Sequence, residues 1–99
     1  MLIKEAAVAY APHGIRVNGV APGHIETDDK KVAAGQPTLN PYIPLGRRSG
    51  LPQDIEKAVC FLADPVLSGF ITGQVIIVDG GGSLIGEWAM RLPPHRQGP

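Results

Sequence analysis

One cysteine, Cys60, is present in the 99 residues, so no internal disulfide can staple the chain. Net charge is also lacking. Nine Lys and Arg balance nine Asp and Glu, and nothing global draws the chain to nucleic acid or an anionic membrane. Apolar runs such as Val75-Ile76-Ile77-Val78 are far too short to cross a bilayer. Met1-Leu2-Ile3-Lys4-Glu5 has no apolar core of the kind a signal peptide needs. Cys-x-x-Cys pairs, His pairs at helical spacing and Gly-x-Ser-x-Gly are all absent, which removes support for a metal site or for serine-hydrolase chemistry. These absences set the expectation of a soluble, cytoplasmic chain with no metal, no membrane and no nucleic acid among its partners.

What is present reads as globular. Hydrophobic residues make up 43% and charged residues 18%, enough for one small domain. Thirteen Gly and ten Pro imply many turns. Leu2 to Ala11 is rich in helix formers and is closed by Pro12 and Gly14. Ile15 to Val20 alternates as a strand. A short helix is expected over Asp28 to Ala34, then a Pro-rich loop from Gly35 to Pro44. Pro52 to Ala63 is the clearest helix: Ile55, Ala58, Val59 and Leu62 recur at helical spacing, and Pro52 suits the first helical position. Asp64-Pro65 ends it. Gln74 to Asp79 is a strand whose unbroken "VIIV" suits a parallel strand covered on both faces, and Gly80-Gly81-Gly82 stops it.

Helix, strand, loop, helix, strand is the rhythm of a parallel α/β sheet. Two strands and two main helices do not close such a unit. Packing alone therefore marks residues 1–92 as part of a larger domain, or as half of an intimate assembly, with 93–99 a disordered Pro-rich tail. The stretch "IRVNGVAPGHIETD" is the most suggestive. Ligands in open α/β sheets bind beyond the carboxyl ends of strands, where Pro22-Gly23 sits. Gly23 lets a ligand approach the main chain, His24 and Ile25 offer backbone groups free of the ladder, and Thr27 adds a hydroxyl. A planar carboxamide needs one donor and one acceptor, and such a turn supplies both.

Three motifs in order, "APHGIRVNGVAPGHIETD", "PLGRRSGLPQDIEKAVCFLAD" and "FITGQVIIVDGG", resemble the C-terminal part of short-chain dehydrogenases/reductases over about Leu2 to Gly82. The resemblance implies the C-terminal portion of a Rossmann-type doubly wound parallel sheet, here incomplete. It also implies NAD or NADP as cofactor and a small-molecule carbonyl or alcohol as substrate. Pro22, Gly23, Ile25 and Thr27 match the family's cofactor-contacting positions. The segment after Thr27 matches its mobile substrate lid, and the last helix and strand match its subunit contacts, hence a homo-oligomer. The family's glycine-rich phosphate turn, catalytic Ser and Tyr-x-x-x-Lys pair have no counterpart here. Tyr10 is followed four residues on by Gly14, and Tyr42 by Gly46. No catalytic residue is therefore assigned, and the sequence reads as a fragment, inactive alone. The alternative is a non-catalytic remnant or interaction module that pairs with another chain.

Structural roles stand beside these. Thr27 suits a cap for the helix at Asp28, His24 a solvated loop, and Asp79 a turn-stabilising role before its glycines. Arg47 and Arg48 suit structural pairing, and Cys60 an inert buried thiol.

Overall fold

A computed structural model describes residues 2–85. The expected tail, 93–99, and the end of the expected domain from 86 to 92 lie outside the described residues. Helix α1 (Leu2–Tyr10) passes into a 3-10 turn (Ala11–His13) that Gly14 closes at φ 74°. Strand β1 (Gly19–Pro22), helix α2 (Asp29–Ala34), helix α3 (Pro52–Ala63), the short helix α4 (Pro65–Ser68) and strand β2 (Val75–Val78) follow, and a 3-10 turn covers Gly82–Leu84. Among the described residues, β1 and β2 form a two-stranded parallel sheet, with Gly19 opposite Val75 and Pro22 opposite Val78.

The first strand begins later than its alternation suggests. Arg16 and Asn18 do not line a sheet face. Arg16 donates to the carbonyls of Ser68 (3.0 Å) and Ile71 (3.4 Å), and Asn18 Nδ2 donates to the same Ile71 carbonyl (3.0 Å). The Val17 N–H is taken by Thr72 Oγ1. Polar side chains thus lash 15–18 to the loop before β2. The ladder starts where the Gly19 N–H reaches the Gln74 carbonyl (2.8 Å).

Pro22 is the last residue of the strand, two positions beyond the expected end at Val20. In a parallel pair alternate residues face the partner, and here Gly19 and Gly23 donate to β2, the latter to the Val78 carbonyl at 3.0 Å. The imide nitrogen of Pro22 falls on the outer edge, where no donor is needed.

Helix α3 covers one face of the sheet and buries Leu62. Its first turn is held by Asp54, whose carboxylate accepts the Leu51 N–H at 2.8 Å. Asp64 ends α3 and also caps α4, accepting the Val66 N–H at 2.9 Å. Ser68, 1% exposed, seals the α3–α4 corner by sharing its hydroxyl among the Phe61, Leu62 and Asp64 carbonyls. On the opposite face, α1 rests Ile3 over Gly19 and Ala7 against Gly73. That leaves Val75 at 50% and Ile77 at 59% exposure. The expectation that "VIIV" is covered on both faces therefore holds on one face only. Cys60 is exposed, not buried. Among the described residues no helix is long and apolar enough to cross a membrane.

Candidate functional site at the strand ends

The carboxyl ends of β1 and β2 meet in a turn flanked by two clefts. One, of about 200 Å³ on the α3 side, is lined by His24, Ile25, Ile43, Arg48 and Asp79 among others. The second, of about 360 Å³ on the side of Ile77, is lined by Pro22, Gly23, His24, Ile43 and Ser83 among others. His24, Ile43 and Asp79 belong to both. Ile43, only 7% exposed, is the apolar wedge between them. It fits because the glycines after β2 leave room: a Cβ on Gly80 would lie 2.6 Å from Ile43 Cγ2, and one on Gly82 3.0 Å from Ile43 Cδ1.

The expected site residues come together in this turn, with three changes of role. Gly23 is glycine for close packing. A Cβ there would lie 2.5 Å from Asp79 Cβ and 2.9 Å from Asp79 Cα, so the neighbouring strand end, not open space, occupies that side. His24 does not offer a free carbonyl either, because the Gly50 N–H donates to it at 2.7 Å. The Glu26 N–H returns to the Gly50 carbonyl at 2.8 Å, so Ile25 pairs with Gly50 as an isolated parallel bridge. Ile25's own N–H and C=O have no partner among the described residues. Thr27 is exposed and caps nothing; Asp28 is the cap of α2, accepting the N–H groups of Lys30 (2.9 Å) and Lys31 (3.3 Å). Within residues 25–27 the turn therefore presents the N–H and C=O of Ile25 and the Thr27 hydroxyl, alongside the Thr27 N–H and the Glu26 and Thr27 carbonyls, likewise unpaired among the described residues.

Asp79 takes the turn-stabilising role. It accepts the Gly81 N–H at 2.9 Å and the Ser83 N–H at 2.8 Å. Donation from Ser83 and Gly81 holds its carboxyl below the usual range. Arg48 meets Asp54 at 3.1 Å, a partly exposed pair. The Leu51 N–H, aided by Arg48, likewise lowers the Asp54 carboxyl. Among the described residues no cluster of His, Cys, Asp or Glu is suited to a metal ion.

Two features escaped the sequence. The stretch after α2 is not a plain loop: Thr38–Asn40 runs antiparallel to Arg47–Ser49, through Ser49 N–H to Thr38 O (2.9 Å) and Asn40 N–H to Arg47 O (2.8 Å). This hairpin carries Ile43 at its tip. Its anchor is Glu26, whose carboxylate accepts the Thr38 N–H at 2.6 Å and the Asp28 N–H at 3.2 Å. The only hint in the sequence was an acid placed two residues before a helix cap.

Residues 1–83 match the family model described as enoyl-(acyl carrier protein) reductase. The chain belongs to the short-chain dehydrogenase/reductase family. Protein FixR of Bradyrhizobium diazoefficiens is 42% identical over 80 residues, 81% of this chain and 28% of that protein. Carbonyl reductase family member 4 of Xenopus laevis is 46% identical over 81 residues, 79% of this chain and 31% of that one. The crystal structure of acetoin dehydrogenase from Enterobacter cloacae superposes with a TM-score of 0.74 at 37% identity, covering 84% of this chain and 32% of that chain. The chain thus spans about three-tenths of the length of the curated relatives it matches. The short-chain dehydrogenase frame accounts for the parallel β1–β2 pair and for the cleft at its carboxyl end.

Proposed function

We propose that these 99 residues are the nicotinamide-side segment of an NAD- or NADP-dependent oxidoreductase acting on a small carbonyl or alcohol. The observation that carries this reading is the turn from Pro22 to Thr27 beside the strand-end clefts, with the Ile25 N–H and C=O and the Thr27 hydroxyl left without partners among the described residues. A nicotinamide carboxamide is planar, with a carbonyl to receive a donor and an amide to find an acceptor. Ile25 supplies both kinds of group, and Thr27 adds a third contact. Pro22 and Gly23 set the backbone that presents them. The cofactor, when bound, supplies or receives the hydride.

The proton donor for such a reaction is not among these residues, since neither Tyr10 nor Tyr42 has a lysine four residues on. In this reading the catalytic Ser, the Tyr-x-x-x-Lys pair and the glycine-rich phosphate turn come from sequence outside the 99 residues, and the chain alone has no turnover. The hairpin after α2 is the substrate lid. A reducing cytoplasm suits the single cysteine. Reading the coding sequence upstream of Met1 tests the proposal: an in-frame glycine-rich turn and Tyr-x-x-x-Lys are expected, and their absence overturns it.

One observation favours a second reading, that of a module without catalysis which binds another chain. Val75 and Ile77 stand half exposed on the face that α3 does not cover, an apolar surface in want of a cover. Light scattering separates the two states: a well-folded monomer at high concentration counts against a pairing module, and a symmetric oligomer counts for it.

A further inference from the structure

We infer that Glu26 is the latch that holds the hairpin of residues 38–49 across the strand ends, so that one side chain sets how far the cleft beside Ile25 and Ile43 stands open. Two backbone donors converge on it. The Thr38 N–H comes from the hairpin, 12 residues on in sequence, at 2.6 Å. The Asp28 N–H adds a second bond, from the start of α2, at 3.2 Å. Thr38 is drawn from its other side by Lys31, whose Nζ donates to Thr38 Oγ1 at 2.9 Å. The clasp therefore runs from Lys31 to the Thr38 hydroxyl and from the Thr38 N–H to the Glu26 carboxylate, and it ties α2, the hairpin and the strand end together.

The rest of the hairpin is held at its other limb. Gly50 is bonded to both neighbours of Ile25, and Leu45 N–H reaches the Gly80 carbonyl at 2.9 Å. Among the described residues no further backbone bond joins the Thr38 side to the sheet. Releasing Glu26 thus leaves the Thr38 limb held only by its backbone bonds to Arg47 and Ser49, with Gly50 as the hinge.

Only the ionised carboxylate accepts all these bonds at once. The Thr38 and Asp28 donors, with Lys31 nearby, hold the Glu26 carboxyl down at about 2, so the latch is closed at neutral pH and opens in strong acid. Of the other charged groups nearby, Asp28 is turned to cap α2, and Arg48 on the far limb is engaged by Asp54. Glu26 acts through the lid and is a positioning residue. Its consequence for substrate access rests on the reading of the segment as a lid; the latch itself does not.

The test is amide hydrogen exchange on the full 99-residue chain, by NMR, with rates corrected for intrinsic pH dependence. In the wild type, protection of the Thr38 and Ser49 N–H groups should be constant from pH 7 to about 4 and fall below it, in step with the Glu26 carboxyl resonance, while Glu26 N–H and Gly50 N–H keep theirs. Glu26→Gln should lower Thr38 protection at pH 7 roughly two- to fivefold, remove its acid dependence and lower the urea midpoint by no more than that same fold-change implies, while Gly50 protection is kept. Thr38→Ser should retain the latch, and Thr38→Val should weaken it. Unprotected Thr38 at neutral pH in the wild type, or equal protection in Glu26→Gln, overturns the latch. A shift of nicotinamide binding alone bears on the proposed function and leaves the latch standing.

Discussion

Adding one methyl group at Gly23 should cost clearly more stability than at Gly14, whose added Cβ meets nothing. The Gly23→Ala Cβ would fall 2.5 Å from Asp79 Cβ and 2.9 Å from Asp79 Cα. Carbon atoms not bonded to each other settle near 3.5–4.0 Å, so the two strand ends must part by about 1 Å. Both atoms lie on or beside the main chain, so no side-chain rotation relieves the clash. The Gly23 N–H to Val78 O bond, 3.0 Å now, is at the point of separation. Overpacking typically costs about 1–3 kcal/mol, and a weakened backbone bond adds about 1 kcal/mol. A loss of about 2–4 kcal/mol is therefore expected. In urea, at a slope of roughly 1 kcal/mol per molar for a small chain, the circular-dichroism midpoint should drop by about 2 M or more. Gly14→Ala is the control. Its Cβ would meet nothing within 4 Å, but the residue sits at φ 74°, so only local backbone strain of about 1 kcal/mol is expected. If Gly23→Ala is as stable as the wild type, or loses less than Gly14→Ala, the close packing of Gly23 on Asp79 is wrong.

Ser68→Ala should cost about 1–3 kcal/mol by thermal or urea melting, since it strips the buried corner between α3 and α4 of its hydroxyl. Acid should weaken the fold through Asp79 and Asp54. Their folded carboxyls lie below the unfolded value of about 3.9, so the stability they give is complete above that pH and is lost as pH falls through the lower folded values. Asp79→Asn should remove part of that acid dependence, which a urea series from pH 7 to 2 would reveal. Ile77→Lys should reduce any self-association seen by light scattering, because Ile77 stands 59% exposed on the uncovered face.

Helix α3 was legible because its pattern is local: Pro52 opens it, four apolar residues repeat at helical spacing, and Asp64 caps the exit. The second strand was legible for the same reason. The start of β1 was not, because Arg16 and Asn18 spend their side chains on the Ser68–Ile71 stretch more than 50 residues away. Alternation records which residues differ in polarity, not which partner takes them. That Pro22 is still paired in β1 was not legible, since sequence does not tell which edge its missing N–H will face. Helix α4 is only four residues long, too short for any periodicity, and depends on Asp64 and Ser68. The place of the candidate site, at the end of the first strand, followed from fold logic; among the described residues the Ile25 backbone groups and the Thr27 hydroxyl have no hydrogen-bond partner. The Glu26 anchor and the Ile43 wedge stayed hidden, because each is made by contacts across the hairpin. Gly23 shows the limit most clearly: the missing Cβ marks a close approach, and only the structure names Asp79 as what approaches.

The most direct measurement is a titration of the ¹⁵N-labelled chain with nicotinamide mononucleotide, reading every amide by NMR. Lacking a phosphate-binding turn among these residues, the chain should bind weakly, since a few hydrogen bonds of about 1 kcal/mol each must offset an association cost of at least about 4 kcal/mol. Fast-exchange shifts are expected at Gly23, Ile25 and Thr27, with a Kd weaker than about 1 mM and little change in α1 or at the α3–α4 corner. Shifts centred elsewhere, or none at Ile25 and Thr27 at tens of millimolar ligand, would contradict the assignment of this turn as the nicotinamide cradle.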